Sequence, residues 1–165
     1  MIQRSYIDEF QPSLDDLKRH LRITSSDLDE TLEVYLRAAI ESSEHLIGKI
    51  IALSEFTYTG WFVRSFDMKG PWRNVKSVEV DGVKLDEADY TVDKKTIIIS
   101  SEITGREMTV VYESGMPQVP FDMKAAIMLA AARLFNNPAD TVESLPSVAK
   151  NLLRPYRSYG LDDDE

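Results

Sequence analysis

The histidines, the acidic clusters and the glycines are the residues of this 165-residue chain whose types and spacing bear on catalysis or metal binding. The two histidines, His20 and His45, lie in different predicted helices, and neither has the partner one turn away that a zinc-binding pair needs. Asp15-Asp16 and Asp27-Leu28-Asp29-Glu30 stand where helices are predicted to begin, and acids there complement the helix dipole. These residues therefore predict helix termini rather than an active site.

Other signatures of catalysis are missing from the sequence. The chain contains no cysteine, which excludes thiol nucleophiles, disulfides and Cys-based metal sites. Its seven glycines form neither a phosphate-binding loop nor a Gly-x-Ser-x-Gly turn around a nucleophile. We therefore expect no catalytic residue, no cofactor-binding residue and no metal ligand. A small hydrolase that uses Asp or Glu stays open as a disfavoured alternative, because carboxylates distant in sequence can meet in space.

The charge balance limits the possible partners. There are 19 basic and 28 acidic residues, for a formal net charge of −9. Affinity for nucleic acid depends largely on Lys and Arg that neutralise phosphates, so a nucleic-acid-binding regulator is disfavoured. No apolar run approaches the ~20 residues of a membrane helix, and the first residues lack the apolar core of a secretion signal. No contact with a membrane is expected.

The hydrophobic pattern divides the chain into helical, β and again helical stretches. We predict helices within residues 13–51 and 120–159, a β insertion at about 52–119 and a mobile acidic tail at 161–165, all in one domain of residues 1–165. Asp81-Gly82 between alternating apolar residues predicts a hairpin turn. The predicted fold class is α+β, mainly α. It is a bundle of about four helices, with antiparallel strands and hairpins inserted between the second and third helices.

The third predicted helix is unusually apolar. From Met123 to Phe135 its only charged residues are Lys124 and Arg133. A helix that is apolar on nearly all sides is typically buried all round. We therefore expect it to be central to the bundle or covered by a neighbouring subunit.

Two short segments are candidate interfaces. In Trp61-Phe62-Val63, three large apolar residues in a row cannot all face one side of a strand. Either one face meets a partner, or the strand is buried on both faces within the subunit. Arg154-Pro155-Tyr156-Arg157 places two arginines and an aromatic ring after a helix stop, and Arg and Tyr are enriched at interface hot spots. An ordinary helix end is the alternative there. The candidate interface residues are Arg154, Tyr156, Arg157, Trp61 and Phe62.

Taken in order, these segments resemble the head–tail connector family of tailed double-stranded-DNA phages, also called adaptor or head-completion proteins. The resemblance extends from about residue 13 to residue 157. The residues that carry it are Leu14-Asp15-Asp16-Leu17 through Ile23, Asp27-Leu28-Asp29-Glu30, Val78-Glu79-Val80-Asp81-Gly82-Val83, Asp89-Tyr90-Thr91-Val92, Val110-Val111-Tyr112-Glu113-Ser114-Gly115, Val119-Pro120, Met123-Lys124-Ala125-Ala126-Ile127, and Leu145-Pro146-Ser147 through Arg157.

The resemblance implies a non-enzymatic structural protein without a cofactor. It implies a ring beneath the portal, nominally twelve-fold, that extends the DNA channel and receives the tail. The implied partners are copies of the chain, the portal protein, and a tail or tail-completion protein, while DNA passes without sequence-specific binding. The implied location is the virion neck, after assembly in the bacterial host cytoplasm. The β insertion, from about Phe56 to Tyr112, is longer than in smaller members. Another neck or tail-completion protein of the virion is the alternative.

Overall fold

The computed structural model describes residues 1–7, 11–137 and 145–158. The predicted acidic tail and the last residue of the predicted helical stretch lie outside the described residues. In chain order the elements are β1 (Ile2–Tyr6), α1 (Leu14–Leu21), α2 (Asp29–Ile47), β2 (Ser54–Trp61), β3 (Ser65–Asp67), β4 (Trp72–Val80), β5 (Val83–Lys84), β6 (Tyr90–Asp93), β7 (Thr96–Ile99), β8 (Glu107–Ser114), α3 (Phe121–Asn136), α4 (Ser147–Leu153) and a 3₁₀ turn (Arg154–Tyr156).

The prediction of a mainly helical bundle is wrong. The described residues form four α-helices and eight strands in two antiparallel sheets, with 36% of the described residues helical and 29% in strands. One sheet has the strand order β1-β2-β8-β4-β5 and the other the order β3-β7-β6. The N-terminal residues, predicted to lie outside the β region, supply β1, which pairs with β2 from Ile2 opposite Tyr58 to Tyr6 opposite Ser54. The strands therefore form a substantial unit rather than a hairpin appended to helices.

The chain divides into two compact units. The β unit comprises Met1–Asp8 and Ala52–Met116, and the helical unit comprises Glu9–Ile51 and Pro117–Glu165. Each unit is thus assembled from two separate parts of the sequence. That the whole chain is one domain stays a prediction.

The β unit has an aromatic core shared by its two sheets. Phe56 of β2 stacks on Tyr112 of β8 with ring centroids 5.4 Å apart. Phe66, from the smaller sheet, lies 6.1 Å from the Tyr112 ring and 4.7 Å from the Tyr58 ring. Along β8, Met108, Val110 and Tyr112 alternate onto the buried face. Offset and edge-to-face contacts of this kind contribute beyond simple area burial.

The helical unit is organised around α3, which packs against α1, α2 and α4. Met123, Ala126, Ile127 and Ala130 are fully buried, and the small alanines allow the neighbouring helices to approach closely. Burial is not all-round, because Leu129 and other apolar residues of α3 are only half-buried. Within residues 1–7, 11–137 and 145–158, no helix has both the length and the apolar character needed to cross a membrane.

A buried carboxylate closes the C-terminal end of α2. Glu44 is 6% exposed, and its Oε1 accepts a hydrogen bond of 2.8 Å from the N–H of Ile51. Its backbone carbonyl accepts from the N–H of Gly48, which has a left-handed conformation that ends the helix. The Glu44 carboxylate therefore accepts a hydrogen bond from the backbone N–H of Ile51, which is buried a few residues beyond the end of α2.

Replacing Glu44 by alanine is expected to lower the free energy of unfolding by about 2 kcal/mol, because the buried Ile51 N–H loses this acceptor. Glu44→Gln keeps an acceptor and is expected to lose less than half as much. Urea unfolding followed by circular dichroism measures both. Equal losses for the two variants would show that the charge, and not the acceptor, matters.

Candidate assembly interface

The C-terminal segment places the predicted residues Arg154, Tyr156 and Arg157 together. Arg154 and Arg157 are exposed, whereas Tyr156 is half-buried. The N–H of Ser158 donates to the carbonyl of Ile47 at 2.8 Å, which fixes the segment at the C-terminal end of α2. Pro155 removes a backbone donor after α4, as the sequence predicted, and the chain leaves the helix through the 3₁₀ turn.

Tyr156 ties this segment to the start of α3. Its hydroxyl donates to the carboxylate of Asp122, with O···O distances of 2.7 and 2.9 Å. Asp122 Oδ1 also accepts from the N–H of Met123. The pKa of Tyr156 is raised, because loss of its proton would remove the bond to Asp122 and place a second negative charge beside the carboxylate. Tyr156 thus holds the backbone between two arginines that face solvent. Sequence reasoning missed Asp122, for which an acid in the first turn of a helix was the only signal.

Replacing Tyr156 by phenylalanine is expected to lower the free energy of unfolding by about 1 kcal/mol, since the ring remains and only the bonds to Asp122 are lost. Asp122→Asn keeps one oxygen acceptor and is expected to lose less. Thermal and urea unfolding of both variants provide the measurement. A Tyr156→Phe variant as stable as the wild type would mean that this contact does not fix the segment.

The second candidate pair lies at the end of β2 in the β unit. Trp61 is 81% exposed and stands opposite Glu107 of β8. Phe62 is half-buried, its N–H donates to the Arg106 carbonyl, and the Arg64 guanidinium lies 5.9 Å from its ring centroid. The alternative of a strand buried on both faces therefore does not hold at Trp61. A role for Trp61 and Phe62 in an interface stays a prediction.

The outward face of α2 carries a shallow, open depression that sequence reasoning did not identify. It is lined by residues of this one helix: Glu30, Glu33, Val34, Arg37, Ala38 and Glu41. An Arg37 amino group pairs with Glu33 at 3.0 Å, and Val34 is 64% exposed between the acids. The signal available in the sequence was the row of glutamates opposite the apolar stripe, which is also typical of an ordinary solvated face.

The hydrolase alternative requires two carboxylates that lie close together. Glu55 and Glu113 stand opposite each other on β2 and β8, and Lys76 Nζ lies 2.7 and 2.9 Å from their carboxylates. These bonds raise the pKa of Lys76, with Glu55 as the larger cause. The arrangement is a surface ion network and not an acid–base pair in a cleft. The described part of the chain holds no group of three His, Cys, Asp or Glu side chains placed to hold a metal ion.

Comparison with known proteins bears on the family resemblance and on the fold. Residues 11–71, which contain α1, α2, β2 and β3, match the family model of the phage gp6-like head–tail connector protein. The resemblance to head–tail connectors is thereby confirmed. A comparison with curated proteins gave no match.

Solved structures show that the likeness in fold extends beyond that matched region. One similar chain lies in the neck of a native gene transfer agent particle, computed with C12 symmetry. Its sequence is 18% identical to this chain, and the two structures superpose with a TM-score of 0.72. The match covers 96% of this chain and 95% of that chain. A chain in the neck of the empty particle, computed with C6 symmetry, is 19% identical, with coverage of 94% and 95% and a TM-score of 0.70. At these identities the likeness shows the fold. The long β region of this chain therefore has counterparts in the fold of those neck chains.

Proposed function

We propose that this connector is a non-enzymatic structural subunit of the ring that joins the portal vertex of a phage or prophage head to the tail, around the DNA channel. The match of residues 11–71 to gp6-like head–tail connectors is the observation that carries the proposal. The same fold occurs in necks computed with C12 and C6 symmetry, which supports a ring oligomer. Ring formation suits a chain whose exposed surfaces differ from one another, because a heterologous contact that closes on itself gives a ring.

The proposed partners are copies of this chain, the portal protein, and a tail or tail-completion protein. The proposed location is the virion neck, reached after assembly in the host cytoplasm. The net charge of −9 supports a channel through which DNA slides without sequence-specific binding, since acidic walls repel phosphates.

Two exposed surfaces are proposed to make the contacts of the ring. Arg154 and Arg157 face solvent on a segment that the bond from Tyr156 to Asp122 holds in position. Trp61 offers a large exposed ring, and Phe62 half of one, at the end of β2. Arg and Trp are among the residue types most often found at the energetic centre of an interface.

Deletion of the gene in a producing phage or prophage tests the proposed function. Particles lacking the chain are expected to accumulate as DNA-filled heads without tails, and the purified protein is expected to restore tail attachment in vitro. Electron microscopy and infectivity or transfer assays provide the readout. Normal tailed particles would contradict the proposal. Binding of the purified chain to isolated tails, but not to portal-bearing heads, would favour the other neck or tail-completion proteins.

A further inference from the structure

The smaller sheet of the β unit has two open edges. Its strand order is β3-β7-β6, so β7 pairs on both sides, whereas β3 and β6 each pair on one side. Among residues 1–7, 11–137 and 145–158, no strand pairs with the outer side of β3 or β6. An open edge presents backbone donors and acceptors to which a strand of another chain can add.

The hydrogen-bond pattern shows which residues of β3 face its open side. The N–H of Ile99 donates to the carbonyl of Arg64 at 2.9 Å. Along an antiparallel pair, residues bonded to the partner strand alternate with residues whose N–H and C=O groups point away from it. Ser65 and Asp67, one and three residues after Arg64, therefore direct their backbone groups to the open side.

The same alternation identifies the open side of β6. The N–H of Ser100 donates to the carbonyl of Asp89 at 2.8 Å. Tyr90 and Val92, one and three residues after Asp89, therefore direct their backbone groups away from β7. Each edge thus offers two residues, at the same spacing, to an added strand.

The side chains of the two edges match as well. Phe66 of β3 and Val92 of β6 both stand opposite the buried Ile97 of β7, so they lie on the core face of this sheet. Asp67 and Thr91 lie on the other face and are exposed. On both edges, apolar residues on the core face therefore alternate with polar residues on the exposed face.

The direction of the strands suits a contact within a ring. β3 and β6 are both antiparallel to β7, so they run in the same direction. A rotation about an axis along the strands keeps that direction, so β3 of one copy can lie parallel to β6 of the next. The contact joins two different surfaces, and heterologous contacts of this type build rings. Within one chain β7 separates β3 from β6 by two strand spacings, about 10 Å.

The charges near the two edges are complementary. Two cations flank β3 and two acids bound β6, namely Arg64 and Lys69, and Asp89 and Asp93. Arg64 donates to the Ser100 carbonyl, and the Lys69 ammonium lies 5.7 Å from the Phe56 ring centroid, so both cations contact uncharged groups. None of the four forms a salt bridge with another residue of the described ranges. Opposite charges that are not neutralised within one chain favour pairing between copies.

We propose that β3 of one copy adds in parallel to β6 of the next copy, with Asp67 beside Thr91, so that this sheet continues from copy to copy around the ring. The register brings three further pairs together: Phe66 and Tyr90, Met68 and Val92, and Lys69 and Asp93. A shift of two residues in either direction would instead place Asp67 beside an acid, Asp89 or Asp93. The proposal rests on the proposed ring function and names a backbone contact between its copies.

Disulfide cross-linking tests this register, because the chain has no cysteine. In an Asp67→Cys, Thr91→Cys variant the two cysteines of one chain lie on opposite sides of β7, at least about 10 Å apart, beyond the ~7 Å Cα separation that a disulfide tolerates. Mild oxidation of the connector on portal-bearing heads is expected to give a ladder of covalent multimers. The matched control joins Asp67→Cys to Lys84→Cys, an exposed position in the larger sheet, and is expected to give no ladder.

A proline substitution tests the backbone pairing. In the proposed register the N–H of Asp67 donates to the Tyr90 carbonyl of the neighbouring copy, whereas in its own chain this N–H points away from β7. Asp67→Pro removes the donor without removing a bond of the sheet, and is expected to reduce ring formation at least about tenfold. Asp67→Ala also loses the bond from Thr96 but keeps the N–H, and is expected to form rings as the wild type does.

A charge exchange tests the pairing of the two edges independently. Lys69→Glu is expected to reduce ring formation at least about tenfold, because two acids then stand beside each other across the contact. Adding Asp93→Lys is expected to restore most of the loss. Lys84→Glu makes the same change in net charge at an exposed residue of β5 and is expected to have no effect.

The outcomes separate this inference from the proposed function. Normal rings from Asp67→Pro, no ladder in the test variant, or an equal ladder in the control would overturn the strand contact and leave the connector function intact. If Asp67→Pro lowers the urea midpoint, the charge exchange decides, and failure of Asp93→Lys to restore rings overturns the contact. Failure of the wild-type chain to bind portal-bearing heads would instead contradict the proposed function.

Discussion

Replacement of Gly115 by alanine is expected to destabilise the β unit by about 3 kcal/mol or more, the largest stability effect expected of a single methyl group in this chain. Gly115 follows β8 with a φ of +141°, a region that residues with a side chain rarely adopt. A Cβ there would lie 2.6 Å from the Cα and 2.8 Å from the N of Leu53, and 2.9 Å from the carbonyl oxygen of Ala52. These are backbone atoms of the two residues just before β2, so relief requires a shift of the chain and not a side-chain rotation.

Urea unfolding followed by tryptophan fluorescence measures the loss, and Gly82→Ala is the matched control. Gly82 also has a positive φ, of +78°, but its Cβ would meet open space. Gly82→Ala is therefore expected to cost only about 1–2 kcal/mol, the conformational part of the penalty. A Gly115→Ala loss no larger than that of Gly82→Ala would show that the close approach to Leu53 does not constrain the fold.

Reversal of both exposed arginines, Arg154→Glu with Arg157→Glu, is expected to abolish assembly while the subunit stays folded. Surface substitutions away from buried contacts usually change stability by no more than about 0.5 kcal/mol, and Tyr156 still holds the segment on Asp122. Loss of one hot-spot contact costs about 2 kcal/mol or more, so two such losses with added repulsion predict at least about a hundredfold drop in tail attachment.

The measurement for this variant is in vitro tail attachment, scored by electron microscopy, alongside its urea midpoint. Arg73→Glu with Lys84→Glu reverses two exposed cations of the β unit and serves as the charge-matched control. Undiminished attachment by the Arg154→Glu, Arg157→Glu variant would exclude this segment from every essential contact. A lowered urea midpoint would attribute the loss to folding instead.

Local features of the fold were predictable from the sequence. The capping box at the start of α1 forms, with Ser13 Oγ accepting from the Asp16 N–H and the Asp16 carboxylate accepting from the Ser13 N–H. That second bond is the main reason that the pKa of Asp16 is lowered. The Asp81-Gly82 turn joins β4 to β5 with positive φ at both residues, as a type I′ hairpin requires. Each of these features depends on residues adjacent or nearly adjacent in the chain.

The non-local features were not predictable in the same way. β1 pairs with β2 across about fifty residues, and its short polar-rich sequence gives no strong signal alone. The Asp81 carboxylate also accepts bonds from the N–H groups of Glu107 and Arg106, which lower its pKa and fasten the turn to the start of β8. Tyr156 likewise meets Asp122 over 34 residues. The sequence prediction of a mainly helical fold therefore overestimated the helical content. The amount of sheet depends on which strands pair, and those partners are distant in the sequence.

The candidate site was predictable in part for the same reason. Residue type and a helix stop were enough to single out Arg154, Tyr156 and Arg157, and the structure groups them at one end of α2. The arginines are exposed, whereas Tyr156 is half-buried. The inward position of Tyr156 depends on its hydrogen bond to Asp122, which residue types alone do not predict. The shallow depression on α2 depends on the positions of side chains, which a row of glutamates in a sequence does not specify.

Native mass spectrometry of the complex with isolated portal rings tests the central claim most directly. The connector account predicts one discrete species in which a closed ring of about twelve copies is bound to each portal, as in the neck computed with C12 symmetry. The portal is included because it is one of the proposed partners of the ring. Portal rings that stay bare, or that carry an indefinite distribution of one or a few copies at saturating concentrations of the chain, would contradict the account.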